Sequence, residues 1–229
     1  MAAKRFCCLF FLSLLLGAAG SIGSITVKAA DWPAWRYDAA RSATSPHAIP
    51  EKLSLQWIRQ FAPPKPAWPE DTRLVFDGSY EPVVVGNTLF LASAQNDSIT
   101  ALDTHSGAEK WKFFAEGPIR FAPVSADNRL YFGSDDGCIY CLANENGELL
   151  WRFKAAPAAR RVIGNDRMSS VLPVRGGPAI ADGKLYFTVG VWPFEGTFLY
   201  WLDLAKITSG VSPDSAFAVV SLTDMTPQR

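Results

Sequence analysis

The chain has 229 residues with 22 basic and 22 acidic side chains, so it offers no net charge with which to hold nucleic acid or an anionic membrane surface. An apolar content of 48% and an aromatic content of 13% exclude an intrinsically disordered chain and point to a packed core.

Residues 1–30 read as a signal peptide. Lys4 and Arg5 form the charged region and Leu9 to Leu16 the apolar one. Ala29 and Ala30 before Asp31 offer a cleavage site, with an earlier one around Gly17–Gly20. The apolar run is short for a bilayer span. The expected product is exported, periplasmic or extracellular, with no transmembrane segment after cleavage. Cys7 and Cys8 would leave with the peptide, and no Cys at the cleavage region supports a lipid anchor.

Residues 31–61 form an opening segment in which Leu53–Ile58 (LSLQWI) resembles an isolated outer strand carrying Trp57. Two stretches then repeat one another, residues 82–113 and 123–153. Leu102, Gly107 and Trp111 of the first recur 40 residues later as Leu142, Gly147 and Trp151. A period of about 40–45 residues with four short strands is the signature of a propeller blade. In the first repeat the strands are Val83–Val85, Leu89–Ala92, Ile99–Leu102 and Glu109–Phe113, separated by turn residues at Gly86–Asn87 and Ser106–Gly107. The second strands (LFLA, LYFG and LYFTV) are apolar on both faces, as sheets covered on both sides require.

A third repeat opens at Gly177–Pro178 and extends to Phe198–Asp203, making its blade 178–203. No Gly-x-x-x-Trp follows, so residues 204–229 are expected to be an aberrant, poorly ordered tail without a fourth strand. The predicted fold is all-β: a partial, open β-propeller of about three four-stranded antiparallel blades within residues 62–203. Three blades are fewer than the usual four to eight of a closed ring. A truncated array is therefore expected, with self-association as one route to completing a ring.

Ala101-Leu-Asp103-x-x-x-Gly107-x-x-x-Trp111 resembles the tryptophan-docking repeat of quinoprotein-type (PQQ-like) β-propellers, and Cys141-Leu-Ala143-x-x-x-Gly147-x-x-x-Trp151 is a weaker copy. Asp31-Trp-Pro-Ala-Trp-Arg36 with Leu55-Gln-Trp57 resembles the start of exported bacterial members. Arg160-Arg161-Val-Ile-Gly164-Asn165 and Gly190-Val-Trp192-Pro-Phe194 resemble a large group of such proteins. The resemblance implies that Trp57, Trp111 and Trp151 dock between blades, with Asp103, Gly107 and Gly147 shaping the turns that receive them. Family enzymes that oxidise alcohols or sugars hold PQQ with Ca²⁺ through a Glu/Asn/Asp set that finds no counterpart here. PQQ with Ca²⁺ is thus implied by resemblance only. Relatives without the cofactor act as scaffolds, as in the outer-membrane assembly lipoprotein of the BamB type.

Successive loops of an antiparallel blade alternate between the two faces of the disc. All the long connections, 62–81, 114–122, 154–177 and 190–196, fall on one face, where binding residues tend to gather. The third of these carries Arg160, Arg161, Arg167 and Arg175, and the fourth carries Trp192 and Glu195. These six residues form a candidate surface for a protein or a small anionic ligand, the arginines binding carboxylate or phosphate. The alternative is solvated loop charges paired with Asp166 and with Asp135 or Asp136.

The remaining candidates favour structure over chemistry. Cys138 and Cys141 are spaced as C-x-x-C but lie three apart on a strand, on opposite faces, and are expected to pack. Asp135-Asp136-Gly137 offers far fewer oxygens than Ca²⁺ requires and reads as a turn. His47 and His105 are the only histidines, and His105 lies on the face opposite the long loops. No metal site and no catalytic residue is assigned. The first reading is an exported, non-catalytic binding or assembly scaffold. The alternative is a fragment of a PQQ-dependent alcohol or sugar dehydrogenase whose cofactor and Ca²⁺ ligands lie in further blades.

Overall fold

The computed structural model describes residues 31–71, 77–156, 160–164 and 167–222; the signal peptide expectation falls outside them. The first blade is β1 (Val83–Val85), β2 (Thr88–Ser93), β3 (Ser98–Asp103) and β4 (Glu109–Phe114), paired antiparallel in that order. The second repeats the plan with β5 (Val124–Ala126), β6 (Arg129–Gly133), β7 (Cys138–Ala143) and β8 (Leu149–Lys154). Between the second and third blades stands a separate antiparallel hairpin, β9 (Arg161–Gly164) with β10 (Arg167–Ser170). The third blade is β11 (Ala179–Ala181), β12 (Lys184–Val189), β13 (Phe198–Asp203) and β14 (Phe217–Ser221).

The blades stack face to face, as in a β-propeller, and two apolar layers hold them. Phe90, Ile99 and Ala101 meet Leu130, Phe132 and Tyr140 between the first two blades. Tyr131, Ile139 and Phe153 meet Leu185, Phe187 and Tyr200 between the second and third. β7 is buried on both faces because it belongs to both layers: Cys138 packs in the first and Cys141 in the second. The alternation of side chains along a strand produces this split.

The opening segment runs along the inner strands. The Trp32 amide donates to the Val84 carbonyl at 2.7 Å and the Val84 amide donates back at 3.0 Å. The Pro33 carbonyl accepts from the Ser125 amide at 2.8 Å, and the Arg41 guanidinium donates to the Gly177 carbonyl at 2.8 Å. Residues 31–41 therefore touch the first two blades and the entry to the third, where Arg41 also donates to the Pro178 carbonyl at 3.2 Å. Leu53–Ile58 does not form the expected outer strand: it joins no ladder, and Leu53, Leu55 and Ile58 are exposed. Its Trp57 docks nonetheless. The indole N–H donates to the Thr104 carbonyl at 2.8 Å, as the Trp111 N–H donates to Asn144 at 2.9 Å in the next blade.

Asp103 shapes the first docking turn, its carboxylate accepting from the Ser106 amide at 2.9 Å and hydroxyl at 2.8 Å. Asp203 occupies the corresponding place in the third blade and caps a helix instead. Its carboxylate accepts from the Lys206 amide at 3.1 Å at the start of α1 (Leu204–Thr208). This substitution of helix for turn corrects the tail expectation. The fourth strand exists as β14, pairing Leu202 with Phe217 and Phe198 with Ser221. It lies beyond α1 and a single 3₁₀ turn, so the Gly-x-x-x-Trp spacing that would announce it is absent.

Candidate binding cleft on the long-loop face

The connections predicted to share a face do meet, and charge joins them. Arg120, from the β4–β5 connection, donates to Asp77 at 2.7 Å and to Asp135, in the β6–β7 turn, at 2.7 Å. Arg175, between β10 and β11, donates through two nitrogens to Asp135 at 2.7 and 2.8 Å. All four side chains are buried. Asp77 also accepts from the Ala67 amide at 3.1 Å, which fastens the 62–71 loop to the network. Burial alone would lower the Arg120 pKa, but Asp135 and Asp77 outweigh it and hold the guanidinium above its ordinary value. Two carboxylates shared between two arginines satisfy one another, as buried charges require.

An aromatic wall rises from this base. The Arg175 guanidinium lies 4.8 Å from the Trp68 ring centroid, a cation–π contact within buried surroundings. Trp68 meets Trp192 edge to face at 5.9 Å, and Trp192 lies parallel to Phe194 at 6.2 Å. These rings, with Val162, Ser169 and Pro173 of the insert, enclose a cleft of about 320 Å³ whose base is Arg120 and Arg175.

The six residues singled out in the sequence divide among three places. Arg175, Trp192 and Glu195 line the cleft. Arg160 donates to Glu195 at 3.1 Å, and Arg161 turns away to Glu116 at 2.9 Å. Arg167 donates to the Gln95 carbonyl at 2.8 Å and pairs with Asp97, tying the hairpin to the first blade. Burial raises the Asp97 pKa and Arg167 opposes it. Of the partners proposed for solvated charges, Asp135 does pair with Arg175, but in the interior. Asp166 lies outside the described residues. Trp68, Arg120 and Asp77 are missing from the sequence reading, and Phe194 stands in the Gly190–Phe194 segment without being assigned to the surface. Among the first three, Trp68, an aromatic residue between Pro66 and Pro69 in a long loop, carries the only readable signal.

The carboxylates at the base of the cleft do not suit Ca²⁺. Among the described residues no three His, Cys, Asp or Glu side chains converge. The two buried carboxylates at the cleft's base, Asp77 and Asp135, already serve Arg120 and Arg175, so a divalent cation there would face two guanidinium groups.

A family model described as outer membrane protein assembly factor BamB matches residues 31–190. BamB from Moraxella catarrhalis is 22% identical, with a TM-score of 0.44 over 55% of this chain and 37% of that one. Quinohemoprotein alcohol dehydrogenase from Comamonas testosteroni is 18% identical, with a TM-score of 0.51 over 76% of this chain and 25% of that one. A europium-containing methanol dehydrogenase is likewise 18% identical, with a TM-score of 0.50 over 76% of this chain and 30% of that one. At this identity the two dehydrogenases show a shared fold. The chain spans 37%, 25% and 30% of these three structures' own lengths. No curated protein matches the sequence.

Proposed function

We propose that this chain, which belongs to the PQQ-like repeat family of outer membrane protein assembly factor BamB, is an exported, non-catalytic module that holds a protein partner on its long-loop face. The observation that carries this reading is a set of exposed apolar side chains around the cleft on that face. Val162 of the β9–β10 hairpin and Trp192 and Phe194 of the β12–β13 connection line the cleft and are exposed, Phe194 to 80%, while Ile163 and Met168 pair on the other side of the hairpin and are exposed as well. Soluble chains seldom gather large apolar groups at the surface unless something covers them. Here Arg160 and Arg161 flank the cluster, a composition suited to a protein interface with an apolar centre and a charged rim.

The buried Asp77–Arg120–Asp135–Arg175 network supports the same reading. It spends its carboxylates on holding four connections and Trp68 in place, and so pre-organises a surface.

The competing reading, a fragment of a PQQ-dependent dehydrogenase, is separated by reconstitution with PQQ and Ca²⁺. The proposal expects no red-shifted quinone absorbance and no dye-linked oxidation of alcohols or sugars. Turnover that depends on both additions overturns it.

A further inference from the structure

A second hollow lies across the β9–β10 hairpin from the aromatic cleft. Its volume is about 140 Å³, and Ser170 lines both. Arg152, Lys154, Arg160 and Arg161 surround it, against the carboxylates of Glu116 and Asp136. Asp136 is turned inward, accepting from the Cys138 amide at 2.8 Å and from the Tyr140 hydroxyl. Glu116 divides its two oxygens between Arg152 at 2.6 Å and Arg161 at 2.9 Å. Lys154 has no ion pair among the described residues, and Arg160, 67% exposed, reaches only the edge of the neighbouring cleft through Glu195. The hollow therefore keeps cationic groups beyond those its own carboxylates engage.

We propose that this hollow is a carboxylate-binding subsite, and that its occupant is an acidic side chain of the protein segment whose apolar side chain fills the aromatic cleft. This rests on the partner-binding reading above and names the partner's chemistry. Two features favour an acidic peptide over a free ion. The four cations are partly solvated, and an exposed ion pair alone contributes little. A carboxylate carried on a chain already anchored next door arrives at high effective concentration, so a weak contact becomes selective. Arginine and lysine side by side also offer planar and point-charge donors to the same carboxylate.

The test uses three probes on the full chain: acetyl-Phe-Gly-Glu-Glu-amide, its Gln-Gln counterpart, and inorganic phosphate. Binding is followed by calorimetry and by the Arg Nε–H signals in NMR. The acidic peptide is expected to bind about tenfold more tightly than the Gln peptide and to move the Arg160 and Arg161 signals. In an Arg152→Ala/Lys154→Ala variant, whose two side chains line the hollow and not the cleft, checked for folding by circular dichroism, that preference should shrink at least threefold while the Gln peptide binds as before. Equal binding of the two peptides overturns the subsite and leaves the aromatic cleft standing. Phosphate moving the same signals at a lower concentration than the acidic peptide overturns the assignment to a peptide carboxylate. Binding of neither peptide overturns the subsite together with the cleft's role as an anchor.

Discussion

The indole of Trp57 lies 2.7 Å from the point where a Cβ on Gly107 would stand, and Trp111 takes the same position over Gly147 at 2.6 Å. Both glycines also hold positive φ, 69° and 72°. A side chain there would meet both a strained backbone and an indole ring. Gly107→Ala and Gly147→Ala are each expected to cost roughly 2–4 kcal/mol, combining left-handed strain with overpacking. Gly86→Ala, at φ 56° with nothing within 4 Å of its Cβ, should cost about 1–2 kcal/mol. Urea unfolding of the three variants measures the difference, which isolates the indole contact.

Asp135 is the node of the buried network, accepting from both Arg120 and Arg175. Asp135→Ala leaves two guanidinium groups without their shared carboxylate. A loss of about 3–5 kcal/mol is expected in chemical denaturation. Since Arg175 also lies against Trp68, the near-ultraviolet dichroism of the variant should change even where it remains folded.

The two thiols of β7 are buried in separate layers, and burial, the largest cause, pushes both pKa values up to about 12. Cys138 and Cys141 should give no fast reaction with a thiol-specific disulfide reagent at pH 8 in the native protein, and one equivalent each on unfolding. Fast native labelling of either cysteine would contradict the packing described for β7.

Two carboxyls move in opposite directions with acid. Hydrogen bonds from Arg152 and then Arg161 hold Glu116 below its usual 4.5, so its contribution to stability is present above that value and lost as pH falls through the lower folded value. Burial raises Glu81, so ionising it in the native state is unfavourable, and stability is lost as pH rises from 4.5 through its folded value. Carboxyl carbon NMR should place Glu116 below 4.5 and Glu81 above it. Arg152→Ala should return Glu116 toward the ordinary range without moving Glu81.

The blades were legible because their signals are local. Apolar second strands, turn residues and the Gly-x-x-x-Trp spacing all lie within one 40-residue window. Trp57 could be paired with Trp111 by type, although its own segment forms no strand. β14 was hidden because Asp203 starts a helix where Asp103 starts a turn, and the spacing that marks a fourth strand vanished with that turn. The cleft was half legible. Loop length identified the face and drew attention to Arg175 and Trp192, since long insertions on one face follow from blade geometry. The Arg120–Asp135 and Asp77–Arg120 pairs join residues 15 and 43 apart across different connections, and nothing local signals such a pair.

The most direct measurement places a photo-crosslinking amino acid at Phe194, on the long-loop face, and in a second protein at Ser106, on the opposite face. Both are expressed in the native cell and irradiated, and the adducts are mapped by mass spectrometry. A discrete adduct from position 194 but not 106, joined to a segment that carries acidic residues beside an apolar one, is the predicted result. No adduct at 194, or the same adducts from both positions, would contradict a partner-binding role for the cleft.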